Sequence, residues 1–512
     1  MLHSCGQSHL QLKLNSNGFT VDVDEIENYT PIILNSNSRH LYTSYLGKVT
    51  VDVSGIGDTV FLEKYHKVHD QQLLVKVLDA SEHNLSEDTQ YSLNKLKSLS
   101  SYKINVIDNK YYYILTLLCQ KKINQLNNKE EKLKEQIETE LETLMKDTLL
   151  SERVRVNFPE LINPKPNKSL IQYKKIYQKV VQYNSPIDVF FNTINYLDFL
   201  YKTTGLVSVN NLDSLVSISN VQNLDNAFFT GKYMVYGTGD TSFYPLSSID
   251  VVGHELSHGL VSGTANLEYK GHSGALNESF ADIMGTMFEF YMYDKYPQLN
   301  GEEDWLIGED LGINKPFLRS MSDPKKGKQP DKYKGEYYLN PNSQMDFGGV
   351  HINSGIPNYC FYLASQQQDK NKVLSTFIKC LKSLNKTSNF IDFRDTLKNI
   401  SNNDPVLLSA LNKVGLNDAI VSDYNPRNQS KPRIPRQRPR PYPRIPRQRP
   451  QPYPRIPRQR PQPYPRIPLP YPQPYPRIPL PYPQPYPRIP LPFPFPFPFP
   501  GIDEYQEYSQ YI

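Results

Sequence analysis

Between Pro426 and Pro500 proline stands at nearly every second position, and this stretch holds thirty of the chain's 43 prolines. Proline has no amide donor and a fixed φ, so the segment can join neither a helix nor a sheet, and polyproline II is its default. A folded core must come from what precedes it. The stretch repeats with a period of eleven: RIPRQRPRPYP from Arg433, RIPRQRPQPYP from Arg444 and Arg455, and RIPLPYPQPYP from Arg466 and Arg477. A degenerate unit from Arg488 ends in the Phe-Pro alternation Phe493 to Pro500. Charge divides at the same place. Residues 425–512 carry 14 Arg, one Lys and three acidic residues, a net +12, so within a chain of +5 residues 1–424 sum to −7. A mildly acidic body thus carries a basic tail. With 38% hydrophobic residues in 512, the body can bury a substantial core, which excludes wholesale disorder.

Cys5, Cys119, Cys360 and Cys380 are too scattered for a disulfide framework and include no Cys-x-x-Cys pair, so inert thiols are expected. The first twenty residues alternate apolar and polar without an apolar run of signal-peptide length, and no conventional secretory signal is expected there. The longest apolar stretch, Tyr111 to Cys119, is about half of what a membrane helix requires, so no transmembrane segment is expected.

Leu41 to Ala80 reads as strands, with Val49, Val51 and Val53 alternating with polar neighbours. Gln120 to Leu150 shifts to helical spacing rich in Glu and Lys, which predicts one long surface helix; its heptad fails at Glu130 and Glu140, against an oligomerising coil. Ser185 to Leu200 predicts a further helix, and Leu215 to Tyr236 short strands between turn residues. Helical periodicity then dominates over Ile249–Val261, Ala275–Tyr293, Asn353–Ser365, Asn371–Leu384, Phe390–Ser401 and Asp404–Val414. Strands first and helices later predict an α+β fold.

One motif carries chemistry. His254-Glu255-Leu256-Ser257-His258 sets two imidazoles four residues apart, on one face of a helix and about one turn apart, the bite needed for a single tetrahedral metal ion. Glu255 stands beside them, where a carboxylate can take a proton from water that the metal has acidified. Glu278 follows twenty residues after His258, with Asp282 one turn beyond, again on a predicted helix. Two His and one Glu form a known catalytic zinc set, which leaves the fourth position for water.

These residues resemble the thermolysin-like zinc metalloendopeptidases. The resemblance runs through NAFFTGKYMVYGTGD from Asn226, PLSSIDVVGHELSHGL from Pro245, SGALNESFADIMGT from Ser273, IGED from Ile307, LRSMSDP from Leu318 and GGVHINSGIPN from Gly348. It implies a two-lobed fold, a β-rich N-terminal lobe and a mainly helical C-terminal lobe, with the zinc helix at the floor of the cleft. The organisation so expected is an N-terminal extension (1–40), a β-rich lobe (41–253) with a charged helical insertion at about 83–168, a helical lobe (254–424) and the proline/arginine tail (425–512). The resemblance implies that His254, His258 and Glu278 hold zinc and that Glu255 is the general base. It implies that Tyr269 and His351 steady the oxyanion, that Asp346 orients His351, and that Asp282 accepts the second ring proton of a zinc-bound histidine. Alone, a histidine in a Gly-rich loop is more often structural, so the role of His351 rests on the resemblance. Asn226, Ala227 and Arg319 match positions that grip the substrate backbone.

Phe243, Leu246, Val251 and Leu318 match an apolar pocket for the side chain after the scissile bond, which implies cleavage on the amino side of Leu, Ile or Phe. A structural calcium is expected at Asp250, Glu289, Asp304 and Glu309; Leu306 stands where a further carboxylate is usual, which favours one ion over two. Protein or peptide substrates, a monomer and an extracellular location are the corresponding expectations, with no specific nucleic acid partner. Other readings weigh the tail more heavily. Pro443 to Pro446 is a PxxP with flanking arginine, of the kind SH3 or WW-like domains accept, and the arginine repeats suit anionic surfaces. On those readings the chain is a proline-rich adaptor or a polyanion- or membrane-binding protein. A peptidase fold kept only for binding is disfavoured by the complete set of metal and base residues.

Overall fold

The computed structural model describes residues 10–15, 18–23, 36–45, 47–81, 99–127, 131–297, 303–314 and 316–420. The expected polyproline tail lies outside the described residues.

β1 (Leu10–Asn15) and β2 (Gly18–Val23) form an antiparallel hairpin. Then come β3 (Ser36–Thr43), β4 (Gly47–Ile56), β5 (Thr59–Phe61), β6 (Glu63–Val68), β7 (Gln71–Asp79) and β8 (Lys103–Asn105). β3, β4, β5 and β8 make one antiparallel sheet in that order. β3 therefore begins inside the segment 1–40 expected as an extension.

Between β8 and the next strand the chain is helical: α1 (Val106–Asn127), α2 (Glu131–Leu144), α3 (Thr148–Asn157), α4 (Pro159–Ile162) and α5 (Leu170–Thr204). The single surface helix expected over 120–150 is instead parts of three. Asp147 ends the second and caps the third, its side chain accepting from Leu150 N. The apolar run Tyr111–Cys119 lies in α1, buried in a tyrosine-rich core with Tyr42, Tyr173, Tyr177 and Tyr244. The helix expected at 185–200 belongs to the 35-residue α5, opened by a capping box of Ser169 and Gln172. Pro186 lies inside α5 and cannot bond to the carbonyl of Gln182; that carbonyl accepts instead from Asn220 Nδ2 at 2.9 Å, so the helix runs through.

β9 (Ser214–Val221), β10 (Ala227–Phe229) and β11 (Tyr233–Gly237) complete a mixed sheet of order β10-β11-β9-β7-β6, in which β9 runs parallel to both neighbours and β10 is an outer strand. The rest is mainly helical: α6 (Ile249–Ser262), α7 (Gly271–Lys295), the short pair β12 (Leu306–Ile307) and β13 (Arg319–Ser320), then α8 (Asp346–Asn353), α9 (Gly355–Ser365), α10 (Lys370–Ser383), α11 (Phe390–Ile400) and α12 (Pro405–Lys413). The chain is thus α+β, β-rich first and helical later. The division expected at 253/254 falls inside α6, and one apolar core continues across it, from Val49 and Val75 through Phe190, Leu256 and Phe288 to Phe377 and Leu411. Among the described residues no helix is long and apolar enough to cross a membrane.

Candidate metal centre and active site

α6 and α7 cross closely because glycines face each other at the contact. A Cβ on Gly253 would meet Gly285 Cα at 3.1 Å, and one on Gly285 would meet Asp250 O at 2.6 Å. At this spacing α7 delivers Glu278 to the face of α6 that carries both histidines. His254 Nε2 and His258 Nε2 are 3.0 Å apart, and Glu278 Oε2 and Oε1 lie 3.4 and 3.5 Å from them respectively. One ligand atom from each of His254, His258 and Glu278 falls within 4.8 Å of the others. Glu278 Oε2 is buried without a hydrogen-bond partner. A buried acceptor left unpaired is costly, and beside two imidazoles it describes a place for a cation.

The second ring nitrogens face polar side chains behind them, His258 in a hydrogen bond and His254 in an ion-pair contact. His258 Nδ1 is 2.9 Å from Asn277 Oδ1, and His254 Nδ1 is 2.9 Å from Asp282 Oδ1. Asp282 also accepts Arg319 Nε at 3.0 Å, Arg319 Nη2 at 2.6 Å and Asn358 Nδ2 at 2.8 Å. Two of Arg319's nitrogens are thereby engaged, while Nη1 is buried without a partner.

Burial opposes charge on His254, but hydrogen bonding and charge from Asp282 and Glu278 prevail and push it up to about 10. Burial takes His258 down to about 4. One ring thus favours a proton and its neighbour rejects it. Glu278 is held well below the carboxylate range despite burial, by the charges of His351 and His258 and by His254. Burial lifts Glu255 to about 7, and its Oε2 has no partner.

Tyr269 donates to Glu278 Oε1 at 2.5 Å, and its hydroxyl is 2.9 Å from His351 Nε2. His351 Nδ1 is 2.6 Å from Asp346 Oδ1, while Asp346 Oδ2 accepts from His351 N at 2.9 Å and Ile352 N at 3.1 Å. A left-handed turn makes this grip: Asp346, Phe347, Gly348 and Gly349 have φ of 48°, 49°, 87° and 81°. The non-glycine members are strained, at about 1–3 kcal/mol each. At Gly348 a Cβ would lie 2.3 Å from Pro341 O, so the turn also requires that glycine.

Asn226 leads into the outer strand β10, and its Oδ1 is buried without a partner. Phe243, Leu246 and Val251 are buried in the main core, and Leu318 packs half-buried against it. The sequence reading missed Asn277, Asn358 and Asp225. Asp225 accepts from the amides of Asp240, Ser242 and Phe243 at 2.9–3.0 Å and so fixes the loop carrying Phe243. The place of Asn277, directly before Glu278, was the one available signal.

A second cluster joins Glu289, Asp304 and Glu309 within 4.8 Å. Both oxygens of Glu289 and Oε2 of Glu309 are buried without a well-formed hydrogen bond. Burial and the charges of Glu309 and Asp250 push Glu289 well above the carboxylate range. Asp250, expected in this set, falls outside it. Its Oδ1 accepts from Ser248 Oγ and Val251 N, and its Oδ2 from Gly308 N.

The sequence matches "Thermolysin metallopeptidase, catalytic domain" over residues 86–262 and "Thermolysin metallopeptidase, alpha-helical domain" over residues 265–404. It is 39% identical over 203 residues to neutral protease NprE of Bacillus pumilus, covering 38% of this chain and 64% of that protein. It is 50% identical over 147 residues to thermolysin of Alicyclobacillus acidocaldarius subsp. acidocaldarius, covering 28% of this chain and 25% of that one. Among solved structures, the precursor of protealysin, a metalloproteinase from Serratia proteamaculans, aligns at 32% identity and a TM-score of 0.40, covering 46% of this chain and 79% of that chain. The chain spans less than two thirds of the length of these two curated relatives.

Proposed function

The chain belongs to the thermolysin metallopeptidase family, and from that membership we propose that it is a zinc-dependent metalloendopeptidase with its active site at the α6–α7 crossing. The observation that carries the reading is the convergence of His254, His258 and Glu278 with an unpartnered glutamate oxygen among them. Two imidazoles and a carboxylate suit zinc and leave a position for solvent. When bound, zinc supplies Lewis acidity, bringing the pKa of water toward 7 and polarising a carbonyl.

The remaining work belongs to side chains. Glu255, with a pKa near neutrality, takes a proton from the attacking water as the new C–O bond forms. It returns that proton to the amine as the C–N bond breaks. Tyr269 and His351 lie beside Glu278 on the same side of the site and donate to the carbonyl oxygen as charge builds there; Tyr269 gives up its bond to Glu278 to do so. Each such donor contributes about 3–4 kcal/mol in comparable sites. His351 suits this role in its protonated form, which Glu278 and Asp346 favour against burial. Asp346 fixes the ring, and Asp282, Asn277 and Asn358 fix the ligands. Asn226, Ala227 and the free Nη1 of Arg319 hold the peptide backbone. Phe243, Leu246, Val251 and Leu318 form the apolar wall that favours Leu, Ile or Phe after the cut. Glu289, Asp304 and Glu309 hold a structural calcium.

The test is digestion of a mixed peptide library by the full chain and by Glu255→Gln. Cuts on the amino side of Leu, Ile and Phe, lost in Glu255→Gln, support the proposal. Cuts chiefly beside charged residues would contradict the wall assignment, and undiminished cutting by the variant would contradict the mechanism.

A further inference from the structure

Among the described residues β10 pairs with β11 on one side and is an outer strand of its sheet, and Asn226 Oδ1 just before it lacks a donor. An extended peptide laid along such an edge is held by its main-chain N–H groups. Proline brings none. Between Pro426 and Pro500 the sequence has twenty Ile, Leu, Phe and Tyr residues, and every one is followed directly by proline. Arginine and glutamine in the same stretch do not obey this rule, as Arg433-Ile434 and Arg436-Gln437 show. Every Ile, Leu and Phe of the stretch, the side chains that the apolar wall would accept, thus has proline directly behind it, as does every Tyr.

We propose that this register makes residues 426–500 a non-substrate for the peptidase that carries them. A peptide of this sequence that offers an apolar side chain to the wall brings behind it a proline, which has no N–H for Asn226 and cannot pair along the edge strand. Bonds such as Arg466–Ile467 and Pro468–Leu469 then stay intact although the residue after each bond suits the wall. The protection stops at both ends of the run: Val421 is followed by Ser422, and Ile502 by Asp503. The proposal rests on the peptidase reading and on its apolar preference.

The test uses the full chain and three substrates: a proline-free quenched peptide containing Gly-Leu-Ala, a synthetic peptide of residues 462–487, and the same peptide with Pro468→Ala, Pro470→Ala, Pro479→Ala and Pro481→Ala. Product masses are followed with time, and each long peptide is also titrated as a competitor of the quenched substrate. The expected result is that the quenched peptide is cut and the alanine peptide is cut before Ile467, Leu469, Ile478 and Leu480. The native repeat is cut at least about a hundredfold more slowly and competes poorly. Cutting of the native repeat at a comparable rate would overturn the proposal alone. Resistance of both long peptides would also overturn it, because the prolines would not be the cause. Failure to cut the quenched peptide would overturn the peptidase reading, and the proposal with it.

Discussion

Burial disfavours charge on two imidazoles one helical turn apart, yet their partners leave them with opposite preferences for a proton. His254, backed by Asp282 and Glu278, holds a proton strongly; His258, backed by the neutral Asn277, gives it up. A zinc ion held by His254, His258 and Glu278 would supply at this place the positive charge that His254 otherwise carries as a proton. Glu255 is the group whose removal should leave this arrangement standing while stopping the chemistry. Glu255→Gln is expected to bind zinc with unchanged stoichiometry, read by elemental analysis, and to lose about 10²–10⁴ in kcat. A second buried acid makes a prediction about stability. Burial holds Asp188 well above the usual carboxylate range, although it accepts from Ser44 N at 2.6 Å and from Ser247 Oγ at 3.4 Å. The folded state therefore keeps this proton above pH 4 while the unfolded chain loses it, so stability declines as pH rises past the unfolded value. Asp188→Asn removes the proton and its slope, at most about 1.4 kcal/mol per pH unit. The thermal midpoint of Asp188→Asn relative to the native chain should accordingly rise from pH 5 to pH 8; parallel profiles would contradict the assignment.

At the scale of elements, the α6–α7 crossing decides whether three ligands meet. Gly285→Ala places a methyl group against the backbone of Asp250 and His254, where nothing flexible can give way. Overpacking of this kind costs about 1–3 kcal/mol. It should also loosen the ligand set, lowering zinc affinity by roughly tenfold or more in competition with a chromogenic chelator. An unchanged affinity and midpoint would contradict the crossing argument. α6 and α7 were legible in sequence because their apolar periodicity coincides with the spacing His254, His258, Glu278 and Asp282. α5 was legible only from Ser185 onward, because its first half is rich in Lys, Gln and Tyr and Pro186 reads as a break. What rescues that break is Asn220, distant in sequence, a relation that periodicity cannot express. The left-handed turn at Asp346–Gly349 was equally hidden, since only Gly348 and Gly349 advertise it. Asp250 was expected as a calcium ligand from the family resemblance alone, and its oxygens accept from the amides of Gly308 and Val251.

For the whole molecule, the body joins strands and helices through one core that crosses α6, so the floor of the site is also the seam of the fold. The carboxylates at Glu289, Asp304 and Glu309 repel one another near that seam. Millimolar calcium should raise the thermal midpoint of the native chain by several degrees, and Glu289→Gln should abolish the response; an equal rise in the variant would contradict a site there. The proline tail, read first as the segment barred from folding, is also the part of the chain whose sequence is matched to the peptidase it follows. The central claim is that hydrolysis depends on zinc held at His254, His258 and Glu278. Titrating zinc into the chelator-stripped full chain while following cleavage of a quenched peptide tests it most directly. Activity should vanish on stripping and return in proportion to zinc up to one equivalent; cleavage that persists after stripping, or never appears at any zinc concentration, would contradict it.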